Sequence, residues 1–113
     1  AGVAPDPAQP PLDGRSILSS ERRSRIVLEY RRETWIPTWA SIRTRRFQYV
    51  EYYRLDGTRF FREYYDLAHD RWQLRNLLGD GTRSNDPSIA SLQAQLRRDR
   101  RCVGGAGSAL PCP

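Results

Sequence analysis

FQYVEYYRLDGTRFFREYYDL, residues 47–67, contains two strand-like runs around a single turn signal. The dipeptide Asp56-Gly57 tolerates the positive φ angles of a tight hairpin turn, and aromatic side chains recur on both sides of it. With Asp56 and Gly57 as a two-residue loop, the register predicts these cross-strand pairs: Tyr49 with Tyr64, Val50 with Glu63, Glu51 with Arg62, Tyr52 with Phe61, and Tyr53 with Phe60. The aromatic residues at period two are therefore predicted to serve core and cross-strand packing before base stacking.

Two more strands are predicted before this hairpin. SRIVLEY, residues 24–30, alternates large apolar side chains with other residues, which is typical of a strand. TWASIRT, residues 38–44, is also rich in strand-forming residues, and a break is expected near Thr44 and Arg45.

A helix is predicted near the C-terminal end of the chain. Asp86 or Asn85 is expected to cap it, with Pro87 in its first turn. Its apolar stripe is formed by Ile89, Leu92 and Leu96. The residues between hairpin and helix are expected to be mainly loop, with a short helical turn at 71–74. The order β–β–β–β–α predicts an α+β fold, a four-stranded antiparallel β-sheet with a C-terminal α-helix packed on one face.

The chain of 113 residues is short enough for one domain. Residues 1–20 are rich in proline and poor in apolar side chains, so they are predicted to be an extended linker or boundary segment. Residues 21–113 are predicted to be the folded domain.

Charge alone does not define a partner. The net charge is +6 and all 19 basic residues are arginine, but acidic residues are interleaved with them. A mixed surface is therefore predicted rather than a field of one sign.

No apolar run approaches the ~20 residues that span a bilayer, so no membrane partner is expected. The first residues lack the basic and apolar halves of a signal peptide.

Two cysteines, Cys102 and Cys112, flank a glycine-rich stretch that can bend back on itself. A disulfide between them is predicted, the alternative being two reduced surface thiols. A stable disulfide would place the protein outside the reducing cytosol.

Catalytic motifs are missing from the sequence. It contains no nucleotide-binding glycine motif, no G-x-S-x-G elbow and only one histidine, His69, which is predicted to be solvated or capping in a turn. Asp66 and Asp70 are candidate calcium ligands, but a cage of ~6–8 oxygens is needed and the residues between them supply few. No catalytic residue, metal ligand or cofactor is therefore predicted in this chain.

Five stretches follow one another along the chain: DGRSI (13–17), IVLEY (26–30), WASIRTRRFQYVEY (39–52), EYYDLAHDRWQLRNL (63–77) and RCVGGAGSALPC (101–112). Their order resembles the C-terminal subdomain of the sulfatase family, the formylglycine-dependent sulfuric ester hydrolases, and in particular its glucosamine-6-sulfatase-like members. The fourth stretch is the most specific, although Arg71 stands where the family usually has proline and Gln73 where glutamate is common.

This resemblance implies a structural piece of a larger secreted or periplasmic hydrolase. Its partner would be an upstream catalytic domain of the same polypeptide, which would carry the formylglycine and a calcium ion. The family's C/S-x-P-x-R motif surrounds neither Cys102 nor Cys112. The resemblance also implies that Asp70 and Asn76 hold a turn by bonds from side chain to backbone.

One face of the sheet is expected to keep exposed apolar surface for the catalytic domain. The candidate contact residues are Trp39, Tyr49, Tyr52 and Phe61, and the sequence does not choose between the two faces.

Two alternative functions follow from the arginines. A nucleic-acid-binding module would combine them with sheet aromatics, although FQYVEYY carries Glu51 and no glycine, unlike an RNP octapeptide. A module for sulfated sugars is the other alternative, because guanidinium groups pair with sulfate in bidentate geometry. The predicted anion or substrate contacts are Arg43, Arg45 and Arg46.

Overall fold

The computed structural model describes residues 18, 20 and 23–101. Four antiparallel strands form one sheet in the order β1-β2-β3-β4. Their bounds are β1 Ile26–Tyr30, β2 Thr38–Arg43, β3 Phe47–Tyr53 and β4 Arg59–Asp66. Two short 3-10 helices, Leu77–Gly79 and Arg83–Asn85, lead to the helix α1, Ile89–Arg100. The predicted α+β architecture is confirmed. No helix in the described residues is both long and apolar enough to span a membrane.

The central hairpin has the predicted register over most of its length. The confirmed pairs are Tyr49 with Tyr64, Val50 with Glu63, Glu51 with Arg62, and Tyr52 with Phe61. Thr44 ends β2 by accepting the N–H groups of Arg46 and Phe47 at its hydroxyl, at 3.1 and 2.9 Å. The break between β2 and β3 therefore falls where the sequence predicts it.

The predicted pair of Tyr53 with Phe60 is wrong, because Tyr53 pairs with Arg59. The Arg54 N–H donates to the Thr58 carbonyl at 2.8 Å, which makes the loop three residues long. Gly57 closes it at φ 81°, in the left-handed region that glycine adopts readily. The longer loop shifts the register by one residue, and a bulge that leaves Phe60 unpaired shifts it back.

The hydrophobic core lies between the sheet and α1. Ala40, Ile42 and Tyr49 on the middle strands are buried against Leu92 and Leu96. Ile89 packs on the edge of this cluster, so the predicted apolar stripe of the helix is confirmed. Alternation along each strand places the remaining residues on the opposite face.

The predicted start of the helix is wrong. Ser88 is the N-cap, whereas Asn85 ends the second 3-10 helix and Asp86 is extended, with φ −64° and ψ 134°. A residue that precedes proline is driven out of the helical region by the proline ring. Pro87 therefore delays α1 until after Ser88 and does not lie in its first turn.

The predicted helical turn at residues 71–74 is also wrong. Asp70 accepts the N–H groups of Leu74 and Arg75 at its carboxylate, at 3.0 and 2.8 Å. Gln73 has φ 58°, which is uncommon for a residue other than glycine. The aspartate side chain thus offers the backbone a turn that competes with the helix.

Asn76 ties the segment after β4 back to that strand. Its amide oxygen accepts the N–H groups of Tyr64 (3.0 Å) and Leu78 (3.1 Å), and its amide nitrogen donates to the Arg62 carbonyl (3.2 Å). Together with Asp70, it holds the turn by side-chain bonds to backbone, the arrangement that the resemblance implies.

Candidate functional site

The candidate site is the sheet face opposite α1, which we call the open face. Its residues are Ile26, Leu28, Tyr30, Trp39, Ser41, Arg43, Gln48, Val50, Tyr52, Phe61, Glu63 and Tyr65. No helix among the described residues packs on it. Leu28 and Phe61 are 38% and 47% exposed, whereas Ser41 and Val50 at its centre are buried, at 0% and 5% exposed. A sheet face bearing so many large apolar side chains is typical of an interaction surface.

The aromatic rings of the open face form two groups of neighbouring rings. The ring of Tyr52 lies 5.8 Å from that of Phe61 and 6.5 Å from that of Phe60 at the bulge. Tyr30 and Trp39 stack at 6.5 Å. These separations fall in the range of favourable aromatic pairs. The rings therefore hold one another in place on the open face.

Tyr52 combines this packing with a fixed hydrogen bond. Its hydroxyl donates to the Glu63 carboxylate at 3.0 Å. Burial, followed by this bond, raises the pKa of Tyr52 to about 12. The hydroxyl therefore stays protonated near neutral pH, and the surface offers an apolar centre with polar tips.

The position of α1 determines which face of the sheet can contact another domain. Trp39, Tyr52 and Phe61 lie on the open face and are available for contact. Tyr49 is fully buried beneath α1. Tyr49 is therefore wrong as a candidate contact residue.

On the face beneath α1, the carboxylate of Glu51 lies among polar partners although the residue is only 6% exposed. The hydroxyls of Tyr49 and Tyr53 donate to it at 2.6 and 2.5 Å, and Arg59 lies 3.3 Å away. Burial, followed by the bond to Glu51, raises the pKa of Tyr53 to about 12 and that of Tyr49 further. The tyrosines are thus fixed as donors, and the carboxylate is satisfied within the core.

The structure brings together only part of the predicted arginine patch. Arg43 and Arg45 line a cleft of about 180 Å³ together with Arg23 and Arg25, whereas Arg46 does not line it. Arg43 donates to the Gln48 side chain. Arg25 is paired with Asp99, so the charge in this cleft is partly neutralised.

The carboxylates of the candidate calcium ligands Asp66 and Asp70 form hydrogen bonds within the turn that follows β4. Asp66 accepts the Ala68 N–H at 3.0 Å and contacts the ring of His69 at 2.8 Å, while Asp70 holds two backbone N–H groups. The His69 side chain is 86% exposed, as expected for a solvated turn residue. In the described part of the chain, no three His, Cys, Asp or Glu residues converge on one point. The carboxylates of Asp66 and Asp70 are thus used by the turn itself, and the calcium ion that the resemblance implies is expected in the upstream domain.

Cys102 and Cys112 lie outside the described residues, as does the stretch at 13–17. The disulfide and the extracytoplasmic location inferred from it therefore stay predictions.

An ion pair that sequence reasoning missed joins the segment before β1 to the end of α1. Arg25 donates to both carboxylate oxygens of Asp99, at 2.7 and 2.9 Å. Asp99 follows Leu92 and Leu96 at helical spacing. A carboxylate that is buried among apolar residues needs a charged or hydrogen-bonding partner. The helical spacing of Asp99 from Leu92 and Leu96 was therefore the sequence signal that such a partner exists.

Comparisons with protein-family models, with curated proteins and with solved structures found no match for the chain.

We expect acid to loosen the turn after β4 before it affects the sheet. The bond from His69 lowers the pKa of Asp66, and the backbone N–H groups of Leu74 and Arg75 lower that of Asp70. Groups with a lowered pKa stabilise the fold above their ordinary value, and that stabilisation is lost as pH falls through the lowered value. The window therefore lies below pH ~4.

Amide chemical shifts of Leu74 and Arg75, followed by NMR during acid titration, measure this effect. Asp70→Asn should abolish the titration of these two amides, and Asp86→Asn should leave it unchanged. Amide shifts that stay constant from neutral pH down to pH ~2 would contradict the role of the Asp70 charge.

Proposed function

We propose that the chain is the C-terminal structural subdomain of a secreted or periplasmic sulfatase, a sulfuric ester hydrolase. The open face packs on an upstream catalytic domain, and the loops help to wall the active site of that domain. The single observation that carries this proposal is the aromatic open face opposite a face already covered by α1. The chain itself is assigned no catalytic residue.

The order of elements supports the proposal. IVLEY coincides with β1, and WASIRTRRFQYVEY runs through β2 and β3. EYYDLAHDRWQLRNL begins in the second half of β4 and continues through the turn that Asp70 and Asn76 hold. Each stretch of the resemblance that falls in the described residues thus has a definite structural place.

The composition of the open face suits contact between domains. Its centre is apolar and aromatic, while charged side chains such as Arg43 and Glu63 lie on β2 and β4 around it. Interfaces between domains combine an apolar centre with a polar rim. Calcium and formylglycine are assigned to the catalytic domain, and no catalytic step is derived in this chain.

The gene provides the first test. The reading frame upstream of the Ala1 codon should encode a C/S-x-P-x-R motif within a few hundred codons. A complete upstream frame without this motif would overturn the proposal.

A substitution on the open face provides the second test. Phe61→Asp should prevent the chain from co-purifying with the separately expressed upstream domain, because it places a charge in the apolar contact. The matched control is Leu74→Asp, since Leu74 is 85% exposed in the turn after β4 and lies off the open face. Association that survives Phe61→Asp as well as it survives Leu74→Asp would contradict the packing of this face.

A further inference from the structure

A second concave surface lies at the end of the sheet where β1 and β3 finish, with a volume of about 350 Å³. β1 and β3 run in the same direction on either side of antiparallel β2. The residues that follow them therefore reach the same end of the sheet. This topology brings Arg31 and Arg32, which follow β1, to the same cleft as Arg54, which follows β3. We call it the arginine cleft.

The charges that line the arginine cleft do not balance. Its charged residues are Glu29, Arg31, Arg32, Arg54 and Arg100. Arg100 pairs with Glu29 and lies 5.0 Å from the centre of the Tyr53 ring. In the part of the chain that the structure describes, Arg31, Arg32 and Arg54 have no carboxylate partner. Three positive charges thus remain around one cleft.

Two of these arginines are held in place by neutral contacts. Arg32 donates from Nε to the Thr34 carbonyl at 2.9 Å, and its backbone N–H donates to the Thr38 hydroxyl at 3.1 Å. The guanidinium of Arg54 lies 5.4 Å from the centre of the Phe60 ring. These contacts orient the side chains. The charge of Arg54 is partly offset by the nearby Asp56 carboxylate, whereas Arg31 and Arg32 have no ion-pair partner among the described residues, so donors remain for an anion.

The residues that line the arginine cleft limit the chemical class of ligand that it can bind. Like charges held around one cleft repel, and a bound anion relieves that repulsion. Guanidinium groups match the oxygens of sulfate and phosphate in bidentate geometry. The apolar part of the wall comes from Trp39, Tyr53 and Leu55. The volume is near the lower end of the ~300–1,000 Å³ that ligand sites occupy, so it suits one ring with its anionic group.

We propose that the arginine cleft binds a monosaccharide that carries a sulfate or phosphate ester. The ester oxygens contact Arg31, Arg32 and Arg54, and the sugar ring lies against the apolar wall. Single-stranded nucleic acid fits less well, because it needs an extended basic groove with successive stacking platforms. The cleft lies at the end of the sheet and shares Tyr30 and Trp39 with the margin of the open face, whereas its three arginines lie beyond the strands.

Titration calorimetry of the 113-residue chain at low salt tests this proposal. The probes are glucose 6-sulfate and glucose 6-phosphate, with sodium sulfate and glucose as separate component controls. At least one ester should bind about tenfold tighter than sodium sulfate, and glucose should give no binding. A preference for the sulfate ester identifies a sulfated saccharide as the source, and a preference for the phosphate ester identifies a sugar phosphate.

Variants at the two ends of the sheet locate the site. Arg31→Ala and Arg54→Ala should each weaken ester binding about tenfold, because each removes a charged hydrogen bond. The matched control Arg45→Ala/Arg46→Ala, at the opposite end, should bind within about twofold of wild type. Phe61→Asp should also bind as wild type does, which separates this result from the test of the open face.

Three results would overturn the proposal. The first is that neither ester binds, or that sodium sulfate binds as tightly as the esters. The second is that Arg45→Ala/Arg46→Ala loses as much affinity as Arg31→Ala. The third is that a ten-residue oligothymidylate binds more tightly than either ester and loses affinity in Arg31→Ala, which would assign the cleft to nucleic acid.

Discussion

Arg25→Ala is expected to lower the free energy of unfolding by about 3 kcal/mol, although the removed side chain lies near the surface. The cause is Asp99, whose side chain is 5% exposed and would keep a buried charge without its bidentate partner. The Arg25 side chain is 28% exposed, so water reaching the vacated position places the loss at the lower end of the range for buried pairs. Urea denaturation followed by circular dichroism measures the effect.

Arg23→Ala is the matched control, because Arg23 is an exposed neighbour outside this pair. Its effect should stay within about 0.5 kcal/mol. The double variant Arg25→Leu/Asp99→Leu should recover much of the loss, since two apolar residues remove both the charge and its desolvation cost. If Arg25→Ala is as stable as Arg23→Ala, the ion pair does not fix the helix end to the sheet.

Glu51→Ala is expected to cost about 4 kcal/mol, the larger of the two effects. The substitution leaves the hydroxyls of Tyr49 and Tyr53 without their acceptor and opens a cavity beneath α1. Each buried polar group without a partner costs about 1–3 kcal/mol, and the cavity adds to this. Thermal and urea denaturation both measure the loss.

Glu63→Ala is the control for Glu51→Ala, because Glu63 accepts one tyrosine bond on the open face. It should cost about 1 kcal/mol. Adding Tyr49→Phe and Tyr53→Phe to Glu51→Ala should restore part of the stability by removing the unpartnered hydroxyls. Equal losses for Glu51→Ala and Glu63→Ala would contradict the special place of Glu51 in the core.

The sheet was predictable because its signals are local. The alternation of side chains and the Asp56-Gly57 dipeptide were sufficient for four of the five predicted pairs of the hairpin. The fifth pair depended on whether the loop has two residues or three, and a glycine at positive φ fits both. The bulge at Phe60 has no signal in the sequence that separates it from regular pairing.

The candidate surfaces were less predictable because they depend on contacts between distant segments. The choice of Trp39 over Tyr49 as a contact residue required knowing which face α1 covers. Arg25 meets Asp99 across 74 positions of sequence. Arg31 and Arg54 share a cleft only through the order of the strands. Local charge clustering in the sequence points to Arg43, Arg45 and Arg46, and does not reveal that Arg31 and Arg54 come together.

The bonds of Asn76 to β4 have a consequence for self-association. Its amide occupies the N–H of Tyr64 and the carbonyl of Arg62, the groups with which an incoming strand would pair. Unpaired strand margins template fibril growth and domain swapping. One asparagine side chain thus blocks recruitment of a foreign strand at this margin, in addition to the charged residues Arg62 and Glu63 that the strand itself carries.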